Sequence, residues 1–548
     1  MYQNILIFFK ICSLLFFFLL ALTAQAGFRS INYNIKVNET HLDIGLCTTD
    51  QFSTSTEIQL PILLGHSNNN LDLSIETNIN GKTKILHVDY DYLTLNHTAG
   101  DKICIKYKLH NPHYPQKHLF YIEKNSFFIN GLNVLASINS EQDIRVTIKF
   151  YNWQEQIISN LKYNNSQKQT FNWVGKKDDL LKSYFISGNF FLIQDKKSQI
   201  NIITSKNLKK DFINKLINYL SNITVGCKNF FSTKGNSYLP PNNTFILIGE
   251  ENPLFSTQGI AQRGNSFSYQ VITSNDLYNN NFTNELKLSL THEYLHQWIG
   301  LYLTGKTLQD SSWFFEGTVD YYAAKLNYVF DLYDSNSFFE FYNNVLREYY
   351  FFNFDKIEIN DLPQQIPIYD LLEYRIGFLL SSIIDNKLSL ASTNYNLDFF
   401  IKNIINTEKF FILKDFLKKI KDSTHLDLTQ LINEVLYKPD RNLLKFLPSK
   451  ICIQGNTNCR KLKLIGISVP EYGFDIFTSL KYQKLTGVKL DSYAYKQGLR
   501  NKEAIKAFIK YPKNDQFYLE LISNSNNTKK LNVYPIYKTI KIPQYIKN

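Results

Sequence analysis

Residues 292–296 read His-Glu-Tyr-Leu-His, and this spacing favours one local conformation. On an α-helix, side chains four apart project from one face, so His292 and His296 can meet a single metal ion with Glu293 beside them. The flanking sequence suits a helix on its own terms. Thr283 or Asn284 can cap it, Glu285 complements the positive end of the helix dipole, and Leu286, Leu290 and Ile299 can bury its other faces. Glu316 follows, separated from His296 by residues 297–315, and a second helix crossing the first brings its carboxylate to the same point. Two neutral imidazoles and one carboxylate leave a fourth tetrahedral position open, which distinguishes a catalytic zinc site from a structural one, so one Zn2+ per chain is expected. Glu293 is then placed as general base, taking a proton from the attacking water and passing it to a leaving amine. Asp320, one turn after Glu316, has two readings: it holds the free N–H of a metal-binding imidazole, or it is a solvated helix charge.

The rest of the chain is large enough to carry such a site on a built scaffold. Its 548 residues, 44% hydrophobic and 15% aromatic, suit several globular domains. Lys10, an apolar run from Ile11 to Leu22 and Ala24-Gln25-Ala26 before Gly27 read as a secretory signal peptide over 1–26, the alternative being an uncleaved anchor. No later segment is long and apolar enough for a second span, so no stable membrane span is expected after cleavage. Without Lys10 the formal charge of +12 becomes 12 − 1 = +11. That surplus accompanies a composition rich in Asn, Lys, Ile, Tyr and Phe, with no dense basic run, which argues against nucleic acid as a partner. Export to the periplasm or beyond permits disulfides. Cys452 and Cys459 bracket a short polar loop and are the best candidate pair; Cys47 and Cys104 are either a second bridge or unpaired buried thiols, and Cys227 is left over.

Periodicity divides the chain. From about 28 to 175, alternating runs such as INYNIKV, LDLSIET and DKICIKYKL predict an antiparallel β-sandwich. Within that region His97 to His118 includes four histidines, but HNPHYPQKH holds two prolines and no acidic partner and reads as a turn. Beyond about 180, NLKKDFINKLINYLSNI has helical spacing, Leu239-Pro240-Pro241-Asn242 interrupts the chain, and TFILIG at 244–249 reads as a buried strand. Helical patterns dominate to about 445, and short strands return after the Cys452 to Cys459 loop.

HEYLHQWIG and WFFEGTVDYY resemble the two metal helices of the gluzincin peptidases, in particular the glycyl aminopeptidase family and the larger membrane-alanyl-type aminopeptidases. Ser126 to Gly131 resembles the first family's FFNGT-like strand, and YLPPNNTFILIG leading to GIAQRGNSF resembles its strand and GGLEH segment. Tyr472-Gly473-Phe474-Asp475-Ile476 and the stretch Ser492 to Leu499 look like a PDZ carboxylate-binding loop and helix start. The resemblance implies a multidomain α+β chain: an N-terminal β-sandwich (27–178), a thermolysin-like, mainly α catalytic domain (179–447) and a C-terminal PDZ-like β domain (448–548). It also implies a catalytic role for Tyr374, in EYRIG, donating a hydrogen bond to an oxyanion, where a packing tyrosine is the alternative. Gly259 and Gln262 fall at the family's substrate-binding positions, but Gln262 stands where GGLEH has its glutamate. A neutral amide loses most of the charge attraction for a substrate α-amine.

These readings converge on an exported zinc metallopeptidase, with peptides as substrates and a peptide or protein terminus at the PDZ-like domain. The expected activity is an aminopeptidase removing small N-terminal residues such as Gly or Ala. The alternatives are a peptidase of the same clan with a different or endo preference, or a zinc-binding PDZ scaffold with little turnover.

Overall fold

A computed structural model describes residues 29–547 apart from 50–53, 62–73, 88–91, 112–117, 162–168, 233–239, 241, 252–256, 306–311, 352–366, 393, 439–442, 453–458, 476–478, 480–483, 511–516, 523–527 and 535. The expected signal peptide, most of the proline-bounded histidine turn, Leu239 and Pro241 of the chain break and the loop between Cys452 and Cys459 lie outside the described residues. The chain divides into two compact units. One comprises residues up to Phe191 with Arg263–Phe267, and the other Leu192–Gln262 with Ser268–Asn548.

The first unit is built on period-two alternation. In Arg29–Val37 the residues Ile31, Tyr33, Ile35 and Val37 are buried between exposed neighbours, and in His41–Thr49 the buried Leu42, Ile44 and Leu46 alternate with half-buried ones. These strands are central to a seven-stranded sheet, in which Arg29–Val37 runs parallel to Ile144–Tyr151 and antiparallel to His41–Thr49. A four-stranded and a three-stranded sheet supply the second layer, and Phe127, Phe185 and Ile58 from these meet Ile31, Leu46 and Ile105 in one core. Ser126–Asn130 is buried at all five positions. It pairs with Tyr184–Gly188, and the unit runs on to Phe191. Cys47 and Cys104 lie directly opposite each other on neighbouring strands and are bonded; Cys452 and Cys459 are bonded as well, and Cys227 is free and buried.

The second unit opens on a five-stranded sheet in the order Phe190–Asp195, Ile200–Ser205, Asn242–Gly249, Phe267–Ser274, Thr257–Arg263, so that Thr257–Arg263 is an edge. Ile200–Ser205 and Asn242–Gly249 are parallel, and the crossover such a pair requires is helix α1, Lys210–Phe231. Next come α2 (Asn284–Leu295), a π-helical turn (Trp313–Thr318) continuing into α3 (Val319–Val329), then α4 (Ser335–Phe351), α5 (Pro367–Ala391) and α6 (Leu397–Thr407). Thr283 caps α2 by accepting from Leu286 N–H at 3.1 Å, with Glu285 in the first turn. A surface helix shows one apolar stripe, but α2 is buried at every position from Leu290 to Leu295, so neighbouring elements enclose its polar residues. No helix among the described residues is long and apolar enough to cross a membrane.

The C-terminal segment has two three-stranded sheets, a Ser492-capped turn of helix at Tyr493–Lys496, and a small core of its own that includes Tyr472, Ala494, Leu499 and Leu519. It nevertheless groups with the second unit. Its last strand, Ile536–Ile546, runs against α4, where the Asn343 side-chain amide donates to Tyr545 O (3.0 Å) and accepts from Tyr545 N–H (2.8 Å) as a neighbouring strand would. The Tyr545 ring enters the main core beside Phe339 and Tyr342.

Candidate metal centre

Helix α2 presents His292 and Glu293, and His296 forms its C-cap. His292 Nδ1 lies 2.9 Å from Asp320 Oδ1, and His296 Nδ1 lies 3.0 Å from the Ile299 carbonyl. A carboxylate and a carbonyl only accept, so both Nδ1 atoms carry the hydrogen and both Nε2 atoms turn lone pairs inward. Those Nε2 atoms are 3.0 Å apart, with Glu316 Oε2 at 3.3 and 3.5 Å from them. Glu316 Oε2 is itself buried without a well-formed hydrogen bond. Among the described residues this is the one grouping of three such ligand atoms, all within 4.8 Å of one another.

Three acceptors converging on one buried point repel unless positive charge lies between them, and this chemistry fits a zinc ion. The local electrostatics agree. Burial alone would lower the His292 and His296 pKa values, but Asp320 and Glu316 beside the first, and Glu316 beside the second, hold them above the ordinary imidazole range. The Glu316 carboxyl, despite burial, stays well below its usual value because both imidazoles face it.

Glu316 reaches this point through two departures from a regular helix. It sits in the π-helical turn, a wider coil that is frequent at functional sites. The following residue, Gly317, packs backbone to backbone against Gly377 of α5: a Cβ on Gly377 would lie 2.0 Å from the Trp313 carbonyl oxygen, and one on Gly317 would lie 2.3 Å from Gly377 Cα. Two glycines at the crossing let α5 approach until Tyr374, nearly one turn before Gly377, stacks on His292 with ring centroids 5.5 Å apart and planes at 20°. The Glu316 carboxylate is a neighbouring negative charge for the Tyr374 phenol. Burial and that neighbouring charge hold its phenol well above the usual tyrosine range, so it remains a donor.

Glu293 is buried, 9% exposed, and burial raises its carboxyl above the ordinary range. Its carboxylate occupies the space a side chain at Gly259 would fill, since a Cβ there would meet Glu293 Oε1 at 2.3 Å. Gly259 lies on the edge strand Thr257–Arg263, which therefore passes directly over the general-base candidate. Gln262 is buried three residues further along, and a strand sends residues at odd separation to opposite faces. Among the described residues no hydrogen bond or ion pair ties Gln262 to the metal cluster.

The structure thus brings together His292, His296, Glu316, Glu293, Asp320, Tyr374 and Gly259. Asp320 is buried and bonded to His292, not a solvated charge. Sequence reasoning missed Arg375 and Glu348, which continue the chain of contacts behind Asp320. Adjacency to Tyr374 was the only signal for Arg375, and Glu348 had none.

No protein-family model matches the sequence, and no curated protein matches it. Solved structures do. The crystal structure of an aminopeptidase N family protein from Idiomarina loihiensis superposes with a TM-score of 0.63 over 93% of this chain and 98% of that one, at 14% identity. Yeast LTA4 hydrolase in complex with bestatin gives 0.47 at 12% identity over 75% of this chain and 67% of that one. A mutant M1 zinc metallopeptidase from Deinococcus radiodurans gives 0.43 at 12% identity over 75% and 94%. The last two superpose too loosely to inform the site. The first shows that the chain has the multidomain α+β fold of that aminopeptidase N family protein.

Proposed function

We propose that this chain is an exported zinc metallopeptidase, most simply an aminopeptidase acting on peptides with small N-terminal residues such as Gly or Ala. The observation that carries the proposal is the convergence of His292 Nε2, His296 Nε2 and Glu316 Oε2 on one buried point with Glu293 and Tyr374 beside it. Resemblance of nearly the whole mature chain to the glycyl aminopeptidase family supports the same reading, and the fold shared with an aminopeptidase N family protein supports its coarser part.

In this reading His292, His296 and Glu316 hold one zinc ion, which supplies Lewis acidity toward water and the scissile carbonyl. Glu293 accepts a proton from the attacking water and delivers it to the leaving amine; its raised basicity in a buried site suits both transfers. Tyr374 donates its O–H to the carbonyl oxygen as that oxygen gains negative charge. Asp320 keeps the His292 Nδ1–H in place. Tyr374→Phe is expected to lower kcat by ~10²–10³-fold, the usual effect of removing an oxyanion donor, while KM changes less than threefold. Unchanged kcat would return Tyr374 to a packing role.

The disulfides Cys47–Cys104 and Cys452–Cys459 favour an oxidising compartment, the periplasm or the exterior. The Ser492-capped turn and the core around Tyr472 support a PDZ-like C-terminal domain that takes a peptide or protein terminus.

A second reading, cleavage without need for a free N-terminus, is favoured by Gln262. It carries no charge for an α-amine and lies on the strand face opposite to Gly259. Turnover of paired peptides with free and acetylated N-termini separates the two. An aminopeptidase loses the acetylated substrates by at least ~10²-fold, the value of a lost charged hydrogen bond. Equal rates transfer the assignment to an endopeptidase, and no zinc-dependent turnover of either overturns the peptidase.

A further inference from the structure

Behind His292 the contacts run on through three helices. Asp320 on α3 uses Oδ1 for the His292 Nδ1–H (2.9 Å) and Oδ2 for Arg375 NH1 (3.0 Å). Arg375, on α5, uses its Nε–H for Glu348 Oε2 (2.5 Å) on α4. The side chains grow more exposed outward: 7% for His292, 8% for Asp320, 16% for Arg375 and 36% for Glu348. A carboxylate as buried as Asp320 needs both oxygens satisfied, and only one can face the imidazole.

We propose that Arg375 is a positioning residue for the metal centre. Resting on the zinc reading above, the proposal is that Arg375 clamps Asp320 so that Oδ1 alone is presented to His292, which fixes the tautomer and plane of that ring and points Nε2 at the metal. The guanidinium does this because its nitrogens diverge in a rigid plane: Nε is anchored on Glu348 while NH1 reaches Asp320. A lysine would make both bonds from one nitrogen, without the planar fork that fixes the direction of each. Arg375 also adjoins Tyr374, whose ring stacks on the same imidazole, so one turn of α5 supports His292 from its edge and its face.

The alternative is an ion pair that merely joins helices, and a mutant cycle separates the two. Zinc affinity is measured by chelator competition for the full chain, for Arg375→Met, Asp320→Ala and both together, alongside the visible spectrum of the cobalt-substituted proteins. Arg375→Met is expected to weaken zinc binding by ~10–100-fold, as loss of outer support for a ligand does, and to alter the cobalt band shape. In the Asp320→Ala background the same change is expected to have no further effect on affinity, because nothing remains for Arg375 to act through. Glu348→Gln, at the exposed end, gives a smaller loss in the same direction, and this milder variant keeps the test open if Arg375→Met folds poorly. Affinity equal to that of the unsubstituted chain in both variants overturns the proposal, as do losses that add in the double mutant. Absence of zinc binding by the unsubstituted chain overturns the metal-site reading itself.

Discussion

Glu293→Gln lowers kcat/KM for peptide hydrolysis by ~10³–10⁴-fold, at the upper end of what a general base contributes, while zinc content stays at that of the unsubstituted chain. The two halves of this expectation come from different atoms. The metal-facing acceptors are His292 Nε2, His296 Nε2 and Glu316 Oε2, and Glu293 is not among them. Glutamine preserves the length and shape that fit against Gly259, so the fold and the metal site remain. What disappears is a basic oxygen able to take a proton from water and return it to the leaving amine. Metal analysis and peptide turnover on one preparation check both halves. Hydrolysis within tenfold of the unsubstituted rate removes Glu293 from the mechanism. A protein that binds zinc and peptides but turns over slowly whether residue 293 is Glu or Gln is a scaffold, not an enzyme.

The centre was legible in the sequence to the extent that it depends on periodicity. The helical repeat alone relates His292 to His296 and Glu316 to Asp320, because each pair lies one turn apart on its own helix. The β-sandwich was legible for the same reason, since alternation such as Ile31, Tyr33, Ile35 reports a strand with one buried face. What periodicity does not report is how elements cross. The spacing from His296 to Glu316 gives a length of chain but not the π-helical turn that carries the carboxylate. Tyr374 became a candidate through resemblance, because nothing local distinguishes it among 36 tyrosines. Arg375 and Glu348 meet only once α4 and α5 pack. The C-terminal segment read as an independent domain because its strands follow a short loop, whereas the attachment of Tyr545 to Asn343 is a contact between distant parts of the chain. Gln262 was named by a motif position alone; it stands three residues from Gly259 in the strand, a separation that alternation assigns to opposite faces.

Gly377→Ala is expected to reduce kcat by at least ~10³-fold and to weaken zinc binding, although the substitution adds one methyl group and touches no catalytic atom. The added Cβ would lie 2.0 Å from the Trp313 carbonyl oxygen and 2.8 Å from Gly317 Cα, both main-chain atoms that cannot rotate aside. Ordinary contact therefore requires α5 and the π-helical turn to separate by on the order of an ångström, at a cost of about 1–3 kcal/mol in stability. Glu316 stands between Trp313 and Gly317 on one side of that crossing, and Tyr374 precedes Gly377 on the other, so the separation displaces a metal ligand and the oxyanion donor together. A misplacement of ~1 Å costs roughly 10²-fold, and loss of the donor a further ~10²–10³-fold. The control is Gly45→Ala in the β-sandwich, where the nearest atom to a new Cβ is 3.8 Å away and activity is expected to be unchanged. Thermal unfolding, zinc affinity and kcat measured on both variants decide the matter. A Gly377→Ala protein with normal kcat would show that the crossing has slack, and the glycine pair would then explain how the helices pack but not why the site works.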